Sequence, residues 1–250
     1  SITQTELIPG FLRMLPNWRI SYDGLSKLPI VKKYLKNLNI THAYTCKYSI
    51  GAFSSYANFV NIGGDVNTGF VQNVETGLPI PSSQFDISAV SISENFSPLI
   101  RVDATLKNSL TFSGEYRCGR MLALNVASMQ LVESGNGEMV FGIGYKISNF
   151  NAILKIKNKE TKVSNDVNLR LDFSKRNTSS LIRKLDDESI TQATSGEDSY
   201  AVQFSAEYIF SSKLNFRFFY DWQSNKPLVS TSYPTSSHNF GISVKLLLTR

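Results

Sequence analysis

Two runs of alternating residues near the C-terminus, 198–210 and 214–222, constrain the fold more than any other stretch of the chain. Their intervening positions are largely polar and include Gln203, Glu207 and Arg217. A period of two over such lengths predicts a β-hairpin whose strands have unlike faces, with a turn at 211–213. The apolar positions are Tyr200, Val202, Phe204, Ala206, Tyr208 and Phe210, then Leu214, Phe216, Phe218, Tyr220 and Trp222.

The length of these runs favours a transmembrane antiparallel β-barrel over a soluble β-sandwich. Both folds have alternating strands, and in a sandwich the apolar face would form the core. Each run is about ten residues or longer, which is near the span of a tilted transmembrane strand, whereas typical strands have about five or six residues. An aromatic face opposite a polar one is also typical of a barrel with lipid outside and water inside. We therefore expect the barrel.

Composition sets broader limits. The 250 residues are sufficient for one domain, 1–250, and contain no apolar run of about 18 residues, so no transmembrane helix is expected. The net charge of +6 is diffuse, and no basic and aromatic cluster indicates nucleic-acid binding. Cys46 and Cys118 are expected to be separate apolar-face residues. Because Ser1 starts no signal peptide, we expect either a removed signal or a piece of a longer protein.

The rest of the chain predicts about eleven strands. Ser26 is expected to cap a short helix near 26–35, and 52–86 to form a long loop with one possible short strand near 56–62. Pro98 is expected to mark a bulge or an edge. Further loops are predicted at 134–137 and 186–197, and tight turns at 107–108, 148–149, 176–177 and 211–213.

The alternation of tight turns and longer loops predicts an orientation. In outer-membrane barrels the tight turns lie in the periplasm and the long loops outside. This rule places the helix near 26–35 and Arg250 in the periplasm and the loop near 52–86 outside the cell. It also makes the first strand run inward. An odd strand count that begins outside does not fit a complete barrel, so we expect the C-terminal arc of a much larger barrel.

No catalytic, cofactor or metal site is expected. His42 and His238 are far apart in sequence and are interpreted as structural or interfacial. The pair Gly142 and Gly144 lies inside a strand and is interpreted as a position where bulk is unwanted on the lumen side. The acidic run at 186–188 fits a solvated loop better than a calcium site. We therefore do not expect an enzyme.

The polar residues that alternate with the apolar ones along each strand are the candidate pore lining. Its charges have mixed signs, which suits bulky or varied cargo, or a plugged lumen, better than ion selectivity. The alternative is that neighbours such as Arg170 and Asp172, or Arg217 and Asp221, only neutralise each other. The predicted lining residues are Arg101, Asp103, Glu115, Arg117, Lys146, Lys155, Lys157, Arg170, Asp172, Glu207, Arg217, Asp221 and Lys245.

Several stretches resemble a known family over nearly the whole chain, from about Leu7 onward. They are Leu15-Pro16-Asn17-Trp18-Arg19-Ile20-Ser21-Tyr22-Asp23-Gly24-Leu25-Ser26-Lys27, Asn95-Phe96-Ser97-Pro98-Leu99-Ile100, Leu169-Arg170-Leu171-Asp172-Phe173-Ser174, Ile182-Arg183-Lys184-Leu185 and Val229-Ser230-Thr231-Ser232-Tyr233-Pro234-Thr235. These residues are similar to the C-terminal region of the SprA (Sov) family, the outer-membrane translocons of the Bacteroidota type IX secretion system.

The resemblance implies a protein-conducting barrel of about 36 strands, the largest known size. Folded cargo with C-terminal signal domains would cross its lumen and leave by a lateral opening. The implied partners are outer-membrane lipid, a PorV-type barrel protein and a plug protein, and some members support gliding motility. Two other classes stay open: a smaller outer-membrane porin or nutrient transporter, and a soluble β-rich adhesion or structural module.

Overall fold

The structure is a computed structural model that describes residues 16–62, 69–156, 159–186, 191–211, 214–229 and 232–246. Nearly all of them belong to antiparallel strands, so the predicted all-β class is confirmed. The strands are β1 (Trp18–Tyr22), β2 (Leu35–Ser55), β3 (Phe59–Asn61), β4 (Gly69–Gln72), β5 (Pro79–Ser82), β6 (Phe85–Leu106), β7 (Leu110–Asn125), β8 (Gln130–Ile156), β9 (Lys159–Lys184), β10 (Thr191–Ile209), β11 (Leu214–Pro227) and β12 (Thr235–Leu246).

A nine-stranded sheet dominates the fold, in the order β1-β2-β6-β7-β8-β9-β10-β11-β12. The count of about eleven strands for this sheet is therefore wrong. The difference arises in β8 and β9, which have 27 and 26 residues and each replace two shorter predicted strands. Within the described residues no pairing joins β1 to β12, so the sheet is open.

Segments rich in Gly, Asn and Ser continue these strands where loops were predicted. Residues 134–137 lie in β8 and residues 176–177 lie in β9, and the two segments pair, with Gly137 opposite Asn177. Cross-strand pairing overrides weak local propensity here. Residues 148–149 form a bulge between Ile147 and Phe150 instead of a turn, with Asn149 at a φ of 57°. The chain reverses at 126–129, between β7 and β8.

Two predicted loops also contain strands. β2 continues to Ser55 and β6 begins at Phe85, so the expected loop at 52–86 is shorter than predicted. Between them β3, β4 and β5 form a separate three-stranded sheet, of which only the first was anticipated. β10 begins at Thr191, inside the loop predicted at 186–197, while residues 187–190 lie outside the described residues.

The helix prediction is correct in place but not in its start. A 3-10 turn spans Gly24–Lys27, and helix α1 spans Pro29–Tyr34 with Leu28 at its N-cap. The Ser26 hydroxyl donates to the Asp23 carbonyl oxygen at 2.6 Å, so Ser26 does not cap the helix. Pro29 sets the start instead, because its fixed φ and missing N–H suit the first helical position. No helix among the described residues is both long and apolar enough to cross a membrane.

The connections fall at two ends of the large sheet. At the turn end lie α1 and the facing ends of the strand pairs β6–β7, β8–β9 and β10–β11, whereas the pairs β2–β6, β7–β8, β9–β10 and β11–β12 are connected at the loop end. The predicted turn at 107–108 is confirmed, and residues 212–213 of the turn predicted at 211–213 lie outside the described residues. Both edge strands, β1 and β12, run from the loop end to the turn end.

The bulge expected at Pro98 is present. The pairing of β6 with β7 shifts between Phe96 and Ile100, and the Ser97–Pro98 peptide is cis. Proline lacks the N–H that a ladder needs, so an irregular position suits it.

Candidate functional site

The large sheet is one layer thick and its apolar face is not covered. Among the described residues only Ala43, Tyr44, Ile87 and Pro98 are buried apolar side chains. By contrast, Phe141 is 50% exposed and Ile242 is 73% exposed. A soluble sandwich would bury this face against a second sheet, and within the described residues the only other sheet is the small one of β3–β5.

Apolar side chains that are exposed or only partly buried form a band of limited height, here called the apolar band. In β8 it extends from Met139 to Ile147, and in β10 from Tyr200 to Tyr208, about nine residues in each strand. At about 3.3 Å per residue this is roughly 26 Å along the strand. Beyond the band, towards the loop end, the same face becomes polar, as at Asn177.

Aromatic side chains with polar atoms mark the boundary of the band at the loop end. Trp18 stacks on Tyr44 with 4.6 Å between ring centroids. The Trp222 indole N–H donates to Ser236 Oγ at 3.1 Å. Tyr116 and Tyr200 lie at the same boundary in β7 and β10. Such residues have one apolar and one polar part, which suits them to an interface between apolar and aqueous surroundings.

The opposite face, here called the polar face, carries a continuous ladder of ion pairs across β6, β7, β8 and β9. Arg101 Nε lies 2.7 Å from Asp103 Oδ2, and Arg101 Nη1 lies 3.2 Å from Glu115 Oε2. Arg117 Nε contacts Glu115 Oε1 at 2.5 Å. The side chains of the ladder, in order, are Asp103, Arg101, Glu115, Arg117, Glu138 and Arg176.

Glu138 links the ion pairs of β6 and β7 to Arg176 of β9. Its Oε2 lies 3.5 Å from Arg117 Nη1, and its Oε1 lies 2.9 Å from Arg176 Nη2. Neither Glu138 nor Arg176 was predicted as a lining residue, because 134–137 was interpreted as a loop and 176–177 as a turn. The signal was present, since Glu138 shares the phase of Lys146 within one strand.

Three more predicted residues form ion pairs outside the ladder. Arg170 Nε lies 2.6 Å from Asp172 Oδ2 within β9, as the neutralising alternative predicts. Lys146 Nζ lies 2.7 Å from Asp166 Oδ2, a residue that the sequence did not single out.

The charges of β10–β12 are not neutralised in this way. Glu207 lies opposite Arg217 in the register, and Lys245 lies opposite Asn215. No ion pair joins Arg217 to Asp221 in the part of the chain that the structure describes, so mutual neutralisation of this pair is wrong; the two are four residues apart on one strand. Lys157 and the side chain of Lys155 lie outside the described residues.

Gly142 and Gly144 make a depression of about 450 Å³ in the polar face. A Cβ at Gly142 would meet Ser113 Oγ, and one at Gly144 would meet Thr111 Oγ1. The hydroxyl groups of Ser113 and Thr111 therefore lie where side chains at these two positions would begin. This agrees with the interpretation that larger residues are disfavoured there.

The remaining sequence candidates take structural contacts. His42 Nδ1 donates to the Leu99 carbonyl oxygen at 2.6 Å, and His238 Nδ1 shares a 2.9 Å hydrogen bond with the Tyr220 hydroxyl. Cys46 and Cys118 are free thiols. No group of three or more His, Cys, Asp or Glu side chains suited to a metal ion occurs among the described residues.

No protein-family model matches the chain, and no curated protein matches it significantly. The arrangement itself defines what the sheet can do. One face is apolar and the other polar over about nine residues of strands such as β8 and β10, roughly 26 Å along the strand.

Proposed function

We propose that the chain is the C-terminal arc of an outer-membrane β-barrel that conducts proteins across the membrane, of the type IX translocon kind. The observation that carries the membrane part is the uncovered apolar band on a single-layer sheet. Its length of about nine residues along each strand suits a tilted transmembrane strand, which needs about 9–11 residues. Aromatic side chains such as Trp18 and Trp222 bound it at the loop end, as girdles do at membrane interfaces.

The directions of the edge strands support a barrel larger than the described sheet. Because β1 and β12 run the same way, pairing them directly would require a parallel contact. Closure by antiparallel pairs alone, the usual arrangement in bacterial barrels, requires an odd number of further strands between them. A barrel with a longer circumference satisfies this requirement and leaves a wide lumen.

The charge pattern of the polar face supports cargo passage over ion selection. In the ladder from Asp103 to Arg176, three acidic and three basic side chains alternate, so its net charge is zero. Selective ion pores carry rings of one sign. A neutral, hydrogen-bonded wall adheres weakly to folded proteins of either charge. The proposed partners are outer-membrane lipid, a PorV-type barrel protein, a plug protein and cargo with C-terminal signal domains.

The orientation of the two faces is tested by cysteine labelling in isolated outer membranes. In the natural protein with Cys46→Ala and Cys118→Ala, Gln203→Cys and Phe204→Cys place thiols on adjacent residues of opposite faces. We expect a water-soluble maleimide to label Gln203→Cys, and only a membrane-permeant one to label Phe204→Cys. Equal labelling of both by the water-soluble reagent in intact membranes would contradict the membrane position.

The transport role is tested by depleting the natural protein in its source cells. We expect cargo with a C-terminal signal domain to accumulate in the periplasm while uptake of small solutes continues. If solute uptake falls and secretion continues, the smaller porin or nutrient transporter is the correct class. If neither changes and the protein is soluble without detergent, a structural or adhesion module is correct.

A further inference from the structure

A groove crosses the apolar face at the loop-end boundary of the apolar band, over β7, β8 and β9. Its volume is about 510 Å³. Gly135 and Gly137 form its floor because they have no side chains on this face. The nearest atom to a Cβ at Gly137 would be the Tyr116 hydroxyl at 3.5 Å, and at Gly135 it would be Ser179 Oγ at 3.6 Å. Both distances are ordinary contacts, so the space above the glycines is open.

The groove is lined by both apolar and charged side chains. Tyr116, Met139 and Lys175 lie opposite one another on the side nearer the band, and Arg120 and Glu133 lie further towards the loop end. Met139 is 39% exposed, so an apolar chain could lie along it and continue over the band. The groove therefore combines an apolar path with cationic groups at the level of the aromatic boundary.

The two cations that line the groove, Arg120 and Lys175, differ in their partners. Glu133 is shared by two guanidinium groups, with Arg120 Nε at 3.3 Å and Arg183 Nη2 at 3.0 Å. Lys175 Nζ lies 5.6 Å from the centre of the Tyr200 ring and has no carboxylate partner among the described residues. Two further acids lie on this face and are hydrogen-bonded: Glu94, opposite Arg120 in the register, accepts from the Tyr44 hydroxyl at 2.9 Å, and Asp198 accepts from the Asn177 amide at 2.6 Å.

We propose that this groove binds the phosphorylated headgroup of an outer-leaflet glycolipid. The inference rests on the proposed membrane position. The loop end then faces the outside, and the groove lies where the headgroups of the outer leaflet meet the acyl chains. Arg120 and Lys175 contact the phosphate, because guanidinium and ammonium groups form strong charge-assisted hydrogen bonds with it. One acyl chain passes Met139 and continues over the apolar band.

Arg176 is a matched control for Lys175, because it follows Lys175 directly and lies on the polar face. Its guanidinium is bound to Glu138 at 2.9 Å. Lys175, by contrast, has only an aromatic neighbour. The two positions therefore provide a matched pair in which the same charge is removed one residue apart, from opposite faces.

The test uses the detergent-purified natural protein and purified lipid A, with binding measured by native mass spectrometry. We expect Lys175→Gln and Arg120→Gln each to weaken binding about tenfold, the loss of one charge-assisted hydrogen bond. Arg176→Gln is expected to leave it within about twofold. Equal weakening by all three variants would mean general electrostatic attraction and would overturn the site.

A second variant tests the shape of the groove without changing charge. Gly137→Leu fills the floor, and the open space around Gly137 allows the strand to pair as before. We expect this variant to weaken lipid A binding about tenfold and to keep the protein in the membrane. Unchanged binding in a folded Gly137→Leu protein would overturn the groove as the binding site.

The origin of the phosphate is distinguished by two comparisons. Dephosphorylated lipid A is expected to bind at least tenfold more weakly, and inorganic phosphate in millimolar excess to compete poorly, because it lacks the acyl chain. If inorganic phosphate displaces lipid A fully, the site recognises free phosphate and the lipid proposal fails. Failure of the membrane position is separate, since it would appear as extraction of the unmodified protein without detergent.

Discussion

Arg117 of β7 and Glu138 of β8 lie 3.5 Å apart across the strand boundary, and this contact unites the ion pairs of four strands into one ladder. On one side of it Glu115 accepts hydrogen bonds from both Arg101 and Arg117. The Glu115 side chain is only 10% exposed, whereas the two arginine side chains are each about 40% exposed. The least exposed side chain of the ladder is therefore a carboxylate that two guanidinium groups share.

Glu115→Gln is expected to lower the free energy of unfolding by about 1–2 kcal/mol, because two guanidinium groups lose a charged acceptor while remaining partly solvated. The measurement is urea unfolding of the natural protein in detergent. Asp221→Asn is the control, since Asp221 has no ion pair among the described residues, and we expect a change below about 0.5 kcal/mol. Equal effects of the two substitutions would argue against the ladder.

Leu171→Arg is expected to destabilise the membrane-inserted protein by about 2–4 kcal/mol. Leu171 lies near the middle of the apolar band and is 43% exposed, and a charge at that depth in lipid is costly. Ser174→Arg places the same side chain in the same strand on the polar face, where we expect less than about 1 kcal/mol. Unfolding in lipid vesicles measures both. If Leu171→Arg costs no more than Ser174→Arg, the apolar face contacts water.

The face of the sheet on which a side chain lies was predictable from the sequence wherever large apolar side chains alternate with polar ones. In the C-terminal hairpin Phe204 lies opposite Tyr220 and Gln203 opposite Asp221, as the alternation implies. The same reasoning placed Arg101, Glu115 and Arg170 on one face. These side chains differ so much in their hydration that burial on the wrong face would be costly, and the phase follows from that cost.

Strand length and the complete ladder were not predictable by that means. Residues 134–137 are all small or polar, so no alternation of apolar and polar residues marks them as a strand. Their strand conformation depends on pairing with β7 and β9, which lie distant in sequence. The ladder's junction at Glu138 follows directly after this stretch. The sharing of Glu115 by two arginines depends on side-chain geometry that spacing alone does not define.

Gly69→Ala is expected to open the pairing of β3 with β4. A Cβ at Gly69 would overlap the backbone carbonyl oxygen of Val60, which cannot move without breaking that pairing. Overpacking of this kind costs about 1–3 kcal/mol, comparable to the stability of so small a sheet. Hydrogen exchange at 59–61 should accelerate, while exchange in β8 stays unchanged. Gly137→Ala, whose Cβ meets only an ordinary contact, should alter neither region; acceleration there as well would indicate a global effect.

A disulfide tests whether β8 and β9 continue as far as the structure indicates. The Ser134 and Ser180 hydroxyl oxygens lie 3.0 Å apart, and the residues are directly opposite. In a protein with Cys46→Ala and Cys118→Ala, the double substitution Ser134→Cys and Ser180→Cys is expected to form a disulfide under mild oxidation, because facing residues in adjacent strands are within bonding reach. Peptide mass spectrometry detects the linked fragments.

Ser134→Cys with Ser174→Cys is the control, since Ser174 is opposite Val140 and too distant to bond. Absence of the first link, with both thiols accessible, would mean that 134–137 is a loop and that the ladder ends before Glu138.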